Sequence, residues 1–169
     1  KHMLNILGSL TGLFSDSNVP YLYYRVSENL FCKAFNAKNL SRSDVSADAS
    51  IGEVGIGIKT FVNGNGKSFQ KVAEFNKDNI SFRDLEPKAI IEKVAHLRNE
   101  RIETTKRIFK LNSMIYHCII REPGAISFFE CSMDMIEIDR IKEIKVNKNT
   151  LCFKDTKHEY TFNISKSTL

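Results

Sequence analysis

The chain has 169 residues, 42% of them hydrophobic and 27% charged, the balance of a globular protein and not of a disordered tail. Lys and Arg number 25 against 20 Asp and Glu, a net charge of +5 that is compatible with nucleic acid without requiring it. No apolar run approaches the roughly 18 residues of a membrane span, so the sequence reads as a cytoplasmic protein of one domain, or of one domain with a small appendage.

In chain order, Lys1-His2-Met3 has the look of a vector remnant and is set aside, and Leu4 to Phe14 lacks the long apolar stretch of a signal peptide. Pro20 to Ala37 predicts a helix. Leu22, Val26, Leu30 and Ala34 recur every four residues, with Tyr23, Ser27, Phe31 and Phe35 on the adjacent stripe. Arg25, Glu28 and Cys32 fall to one side of that face. Asn36 to Ser43 is a polar break. Asp44 to Phe61 reads as a β-hairpin turning near Ser50 to Glu53. Pairing Ala49 with Val54 would set Asp48 opposite Gly55 and Asp44 opposite Lys59. On the second strand Val54, Ile56 and Ile58 point one way, and Gly55, Gly57, Lys59 and Phe61 the other. Two carboxylates and a lysine would then border two glycines with no side chains to fill the surface.

Asn63-Gly-Asn-Gly66-Lys67 is a turn signal, followed by an expected short helix from Ser68 to Asn76. A long helix is expected from Pro87, near its first position, to about Lys110. Its densely charged face reads as solvated. From Ser113 the period changes to two, predicting strands at Met114–Arg121, Ala125–Cys131, Ile141–Val146, Thr150–Phe153 and Glu159–Ile164. The fold class expected is α/β (α+β): a mixed β-sheet flanked by helices, with an antiparallel C-terminal β-meander. Residues 4–122 would form the core and 123–169 the meander, packed as part of the same domain.

Several chemistries are disfavoured. Cys32, Cys118, Cys131 and Cys152 form no CxxC pair and sit in apolar patterns, which suits buried thiols better than metal ligands. There is no HExxH, GxSxG or Cys-His signature, and Gly64-Asn-Gly66-Lys67-Ser68 lacks the Walker spacing.

The order helix, hairpin with Asp, strand ending in Lys, helix and further strand resembles the core of the PD-(D/E)XK nucleases, the superfamily of many type II restriction endonucleases. The resemblance covers roughly Tyr21 to Arg121. In that family an Asp on one strand and an acidic-x-Lys triplet on the next bind Mg²⁺ and activate water. Carried over, Asp48 is a metal ligand and Lys59 the lysine that polarises the attacking water. Glu28 fills a helical carboxylate position used by some members, and Gln70 a polar position found in several branches. The triplet here is Gly57-Ile58-Lys59, so Gly stands where the second acid is expected. Asp44 or Glu28 could take over that role, or the domain could be inactive. The parts suit phosphodiester hydrolysis, in which carboxylates hold Mg²⁺ and a lysine stabilises developing charge.

The resemblance thus implies a Mg²⁺-dependent DNA endonuclease of the restriction type with catalytic Asp48, Lys59, Glu28 and Gln70, and metal ligands Asp48, Asp44 and Glu28. Double-stranded DNA is the expected partner, met by Lys38, Arg42, Asn63, Asn65, Lys67 and Lys71. Double-strand cleavage would favour a homodimer, and the last strand runs so close to Leu169 that a further domain of a longer enzyme is conceivable. The alternative is a non-catalytic DNA-recognition domain. Leu40-Ser-Arg-Ser-Asp44 and Val54-Gly-Ile-Gly-Ile58 are similar to segments of the B3-like domains attached to some restriction enzymes, although the long helix suits that barrel poorly. The plain reading of the same residues is that Asp44 and Asp48 belong to turns and Lys59 guards a strand edge.

Overall fold

A computed structural model describes residues 1–13, 16–40, 45–63, 71–76, 81–82 and 85–169. The chain divides into two compact units: residues 1–68 with 102–134, and residues 69–101 with 135–169.

The first unit is built on a mixed sheet of five strands in the order β1-β2-β3-β4-β5. These are β1 (Lys38–Asn39), β2 (Ala49–Ile51), β3 (Val54–Val62), β4 (Ser113–Glu122) and β5 (Ala125–Ser132). Neighbours are antiparallel except β3 and β4, which run parallel. A parallel pair needs a long crossover, and the helix α3 (Pro87–Phe109) lies within it. Both antiparallel hairpins close through two residues. Gly52 takes φ 55 between Ile51 and Val54, and Pro123-Gly124, with Gly124 at φ 70, joins Glu122 to Ala125. A positive φ at those places is where glycine is needed.

The helix expected over Pro20 to Ala37 is shorter: α2 spans Tyr24–Phe35, and Asn36 ends it in the left-handed region at φ 50, which Asn tolerates. It buries Ser27, Glu28 and Phe31, so the charged flank enters the interior while Tyr23, Ala34 and Phe35 of the expected apolar stripes are exposed. A further helix, α1 (His2–Ser9), and a 3₁₀ turn (Leu10–Leu13) precede it, in a segment where no element was expected. Leu4, Leu22, Phe31, Ala49, Ile56, Ile58, Ile119 and Ile126 form one apolar cluster. Each fully buried aliphatic side chain contributes about 1.5–3 kcal/mol.

The second unit joins the first part of α3 to an antiparallel sheet, β6 (Lys142–Asn147), β7 (Thr150–Lys154) and β8 (Glu159–Asn163), in that order. Its core gathers Phe75, Phe82, Ile91, Val94, Leu151, Phe153 and Phe162 among others. The short helix expected over Ser68 to Asn76 is absent from the described residues 71–75. There Glu74 bridges Thr168, and the Phe75 amide donates to the Ser167 carbonyl, so the backbone bonds outward and not along a helix. The strands expected from Ser113 onward form within a residue or two of their expected limits. Ala125–Ser132 joins the five-stranded sheet, whereas the last three strands make their own.

Candidate functional site

The hairpin register differs from the expected one by two residues. Ala49 pairs with Ile56, Ser50 with Gly55 and Ile51 with Val54. The tight Gly52-Glu53 turn fixes this register and overrides the wider turn expected, so Asp48 does not lie opposite Gly55. The backbone of Asp48 is fully committed: its N–H donates to the Ile56 carbonyl and its carbonyl accepts from Leu40 N–H. Its side chain then replaces the next ladder carbonyl, Asp48 Oδ2 accepting from Ile58 N–H at 2.7 Å. The β2 pairing ends at Ile56, and the carboxylate is held against the β3 backbone one residue before Lys59.

Glu28 lies on α2, only 4% exposed, with Oε2 accepting from Arg25 Nη1 at 3.0 Å. An i,i+3 spacing on a helix brings the two together. Glu28 and Asp48 both act on the thiol of Cys32, which burial pushes above its ordinary pKa first and the two carboxylates push further.

Lys59 is oriented differently. Ile56 and Ile58 belong to the apolar cluster that includes Phe31 of α2. By strand alternation, Lys59 leaves β3 on the other face, with Gly55 and Gly57. It pairs in register with Cys118. Burial and Cys131 push that thiol up to about 11 against the opposing charge of Lys59. Gly57 is not an open place beside Lys59, because a Cβ there would stand 2.7 Å from Met133 Cε and 3.1 Å from the Tyr116 ring. The space where a second acid was expected is filled by those two side chains.

Of the residues expected to contact DNA, Lys38 is exposed on β1 with its ammonium 5.7 Å from the centre of the Phe109 ring. Asn63, at the end of β3, donates its backbone N–H to the Arg121 carbonyl and its side-chain amide to Glu122. Lys71 belongs to the second unit and pairs with Glu74 at 2.8 Å. Arg42, Asp44, Asn65, Lys67 and Gln70 lie outside the described residues.

Glu28 and Asp48 are oxygen-only donors, the chemistry that Mg²⁺ takes with one or two carboxylates and retained water. Among the described residues no three His, Cys, Asp or Glu side chains gather as a metal-binding group. No described helix is long and apolar enough to cross a membrane.

One polar pair escaped sequence reading. His117 Nδ1 lies 2.8 Å from Glu130 Oε1, and the imidazole centre is 4.9 Å from that of the Phe31 ring and 5.5 Å from that of Phe128. His117 also borders a cavity of about 470 Å³ lined by Leu4, Leu30, Phe31, Ile119 and Phe128. The pairing depends on the β4–β5 register, and no local motif encodes it. Comparison with protein-family models, curated proteins and solved structures finds no match.

Proposed function

We propose that the first unit is a Mg²⁺-dependent DNA endonuclease of the restriction type, with Glu28 and Asp48 as its carboxylates and Lys59 as its lysine. The observation that carries this reading is the Asp48 carboxylate held on the Ile58 amide at 2.7 Å, one residue before Lys59, with a buried carboxylate, Glu28, on the helix α2. The order α2, β2–β3 hairpin, α3 and parallel β4 supports it, being the order on which the resemblance to PD-(D/E)XK nucleases rests. On this reading Glu28 takes the part of the missing second acid, because Gly57 is enclosed by Met133 and Tyr116.

Glu28 and Asp48 would hold Mg²⁺, which when bound would supply Lewis-acid chemistry at a phosphate oxygen. The remaining work belongs to the chain. Arg25 fixes the Glu28 carboxylate. The Ile58 amide fixes that of Asp48. Lys59 has a long flexible stem and starts just beyond the stretch of β3 that pairs with β2. It offers a positive charge to the attacking water and to the phosphate as its charge grows. Double-stranded DNA is the substrate on this reading, and paired cuts call for a homodimer.

The second reading is a non-catalytic DNA-recognition domain, favoured by the departure of Lys59 from the opposite face of β3. Incubating plasmid and genomic DNA with Mg²⁺ or EDTA separates the two, with wild type beside Asp48→Asn. The Asn side chain keeps an oxygen for the Ile58 amide, so loss of cleavage would report chemistry and not unfolding. Mg²⁺-dependent cutting that the variant loses supports the nuclease. Salt-sensitive binding without cutting supports recognition alone, and cutting by Asp48→Asn at the wild-type rate removes Asp48 from the site.

A further inference from the structure

The segment leading into α2 is Pro20-Tyr21-Leu22-Tyr23-Tyr24-Arg25. Leu22 is buried, yet Tyr21, Tyr23 and Tyr24 are 63%, 47% and 49% exposed. Three exposed aromatic rings in four residues are a patch and not scattered surface apolarity. The segment is anchored from below. Leu22 sits in the apolar cluster, and the Pro20 carbonyl accepts from Arg121 Nη1 at 3.1 Å. The rings of Tyr23 and Tyr24 lie 4.5 Å apart at 53°, and the Arg25 guanidinium stands 5.3 Å over the Tyr24 ring.

Arg121, one residue before the end of β4, pairs with Val62 at the carboxyl ends of the parallel pair. Its bond to Pro20 is to a neutral carbonyl, and its Nε is buried with no hydrogen-bond partner among the described residues. A half-buried cation bonded to a neutral carbonyl favours an anion. Anchored aromatic faces beside guanidinium charge are what an unpaired nucleic-acid strand requires. Every base has a face to stack, and every nucleotide carries a phosphate for a cation.

We infer that Tyr21, Tyr23 and Tyr24, with Arg25 and Arg121, form a stacking surface for unpaired nucleotides of a DNA strand. This deepens the nuclease reading and rests on it: the segment of substrate reaching this edge would be single-stranded, as in an overhang or an opened duplex. Arg121 pairs in register with Val62, three residues beyond Lys59, about 10 Å along the strand.

The chain has five Tyr and no Trp, and three of those Tyr are in this patch, so tyrosine emission reports on it directly. The experiment titrates the full chain, in EDTA, with oligodeoxythymidylate and with a blunt duplex of equal length. Emission and binding are read together. Single strand is expected to quench the emission and to bind more tightly than duplex. Tyr21→Ser with Tyr24→Ser should weaken single-strand binding about tenfold or more, from about 1–3 kcal/mol per stacked base. Tyr21→Phe with Tyr24→Phe should keep the affinity, and Arg121→Gln should lower the salt dependence. Circular dichroism of each variant checks its fold.

Absence of single-strand binding by the wild type overturns the inference, as does wild-type affinity in the folded double Ser variant. If that variant loses self-association with single-strand binding unchanged, the patch serves a second copy, and the inference again fails. The nuclease reading fails separately, by absence of Mg²⁺-dependent cutting while stacking persists.

Discussion

At the residue scale, Asp48 has an observed bond to the β3 backbone and a proposed part in cleavage, which different substitutions separate. Asp48→Ala removes the acceptor for the Ile58 amide and should cost about 1–2 kcal/mol of stability, seen as a lower denaturant midpoint. Asp48→Asn should leave the midpoint nearly unchanged while cleavage is lost. Gly57→Glu tests the missing acid from the other side. A side chain there meets Met133 and Tyr116, so the variant should lose about 1–3 kcal/mol without faster cleavage. A rise in rate would show that position 57 opens onto the site after all. That enclosure was not legible in the sequence, since Met133 comes from a distant segment and only the fold brings it over Gly57. Glu28 was legible as a candidate, but its burial contradicts the reading of it as one flank of an amphipathic helix.

Asp155 carries the clearest pH dependence. Burial alone would raise its pKa, but the backbone N–H groups of His158, Glu137 and Lys157 outweigh that and hold it below the ordinary carboxylate value. Oδ1 accepts from Lys157 and His158 at 2.8 Å each, and Oδ2 from Glu137 at 3.1 Å. Since the folded pKa lies below the unfolded one, of about 3.9, this stabilisation is complete above that value. It is lost as pH falls through the folded pKa. Asp155→Ala should cost about 2–3 kcal/mol at neutral pH, and the difference from wild type should shrink below about pH 4.

At the scale of elements, a side chain performs part of a sheet's work in α3. Asn99 donates to the Ile136 carbonyl at 2.8 Å and accepts from the Ile136 amide at 2.8 Å, a two-bond clamp of the sort one strand offers another. Asn99→Leu leaves both groups without a partner and should cost about 2–3 kcal/mol. Amide exchange should then show Ile136 losing its protection at once, and a protected Ile136 amide would mean the clamp is dispensable. Elements with a strong period were legible: α3 from Pro87, and the strands after Ser113 with Pro123-Gly124 between two of them. The two-residue β1 was not, because Lys38-Asn39 falls in a polar break and pairs only through partners at Ala49 and Ser50. The hairpin was legible as a hairpin but not in its register, which one tight turn decided. The edge strand β6 is exposed throughout. Lys142, Lys145 and a bulge between them are the usual guard against pairing with another chain.

At the scale of the whole molecule, the two units interleave along the chain, which no change of composition reveals. The second unit draws Phe75, Phe82, Ile91 and Val94 from before the first unit's last strands, and Leu151, Phe153 and Phe162 from after them. A chain stopped after Asp134 should therefore expose half of an apolar core. It should bind a dye such as ANS strongly and unfold with less cooperativity than the full chain. Weak dye binding by the shortened chain would mean that residues 69–101 bury those side chains without β6–β8.

The same interleaving bears on how the protein is made. Residues 69–101 leave the ribosome well before the strands that cover them, and the last member of their core is Leu169. At about 5–20 residues per second, translation of the interval takes on the order of ten seconds. Through that time Phe75, Phe82 and Ile91 await their partners on a nascent chain, an opening for chaperones that a contiguous arrangement of the two units would not create.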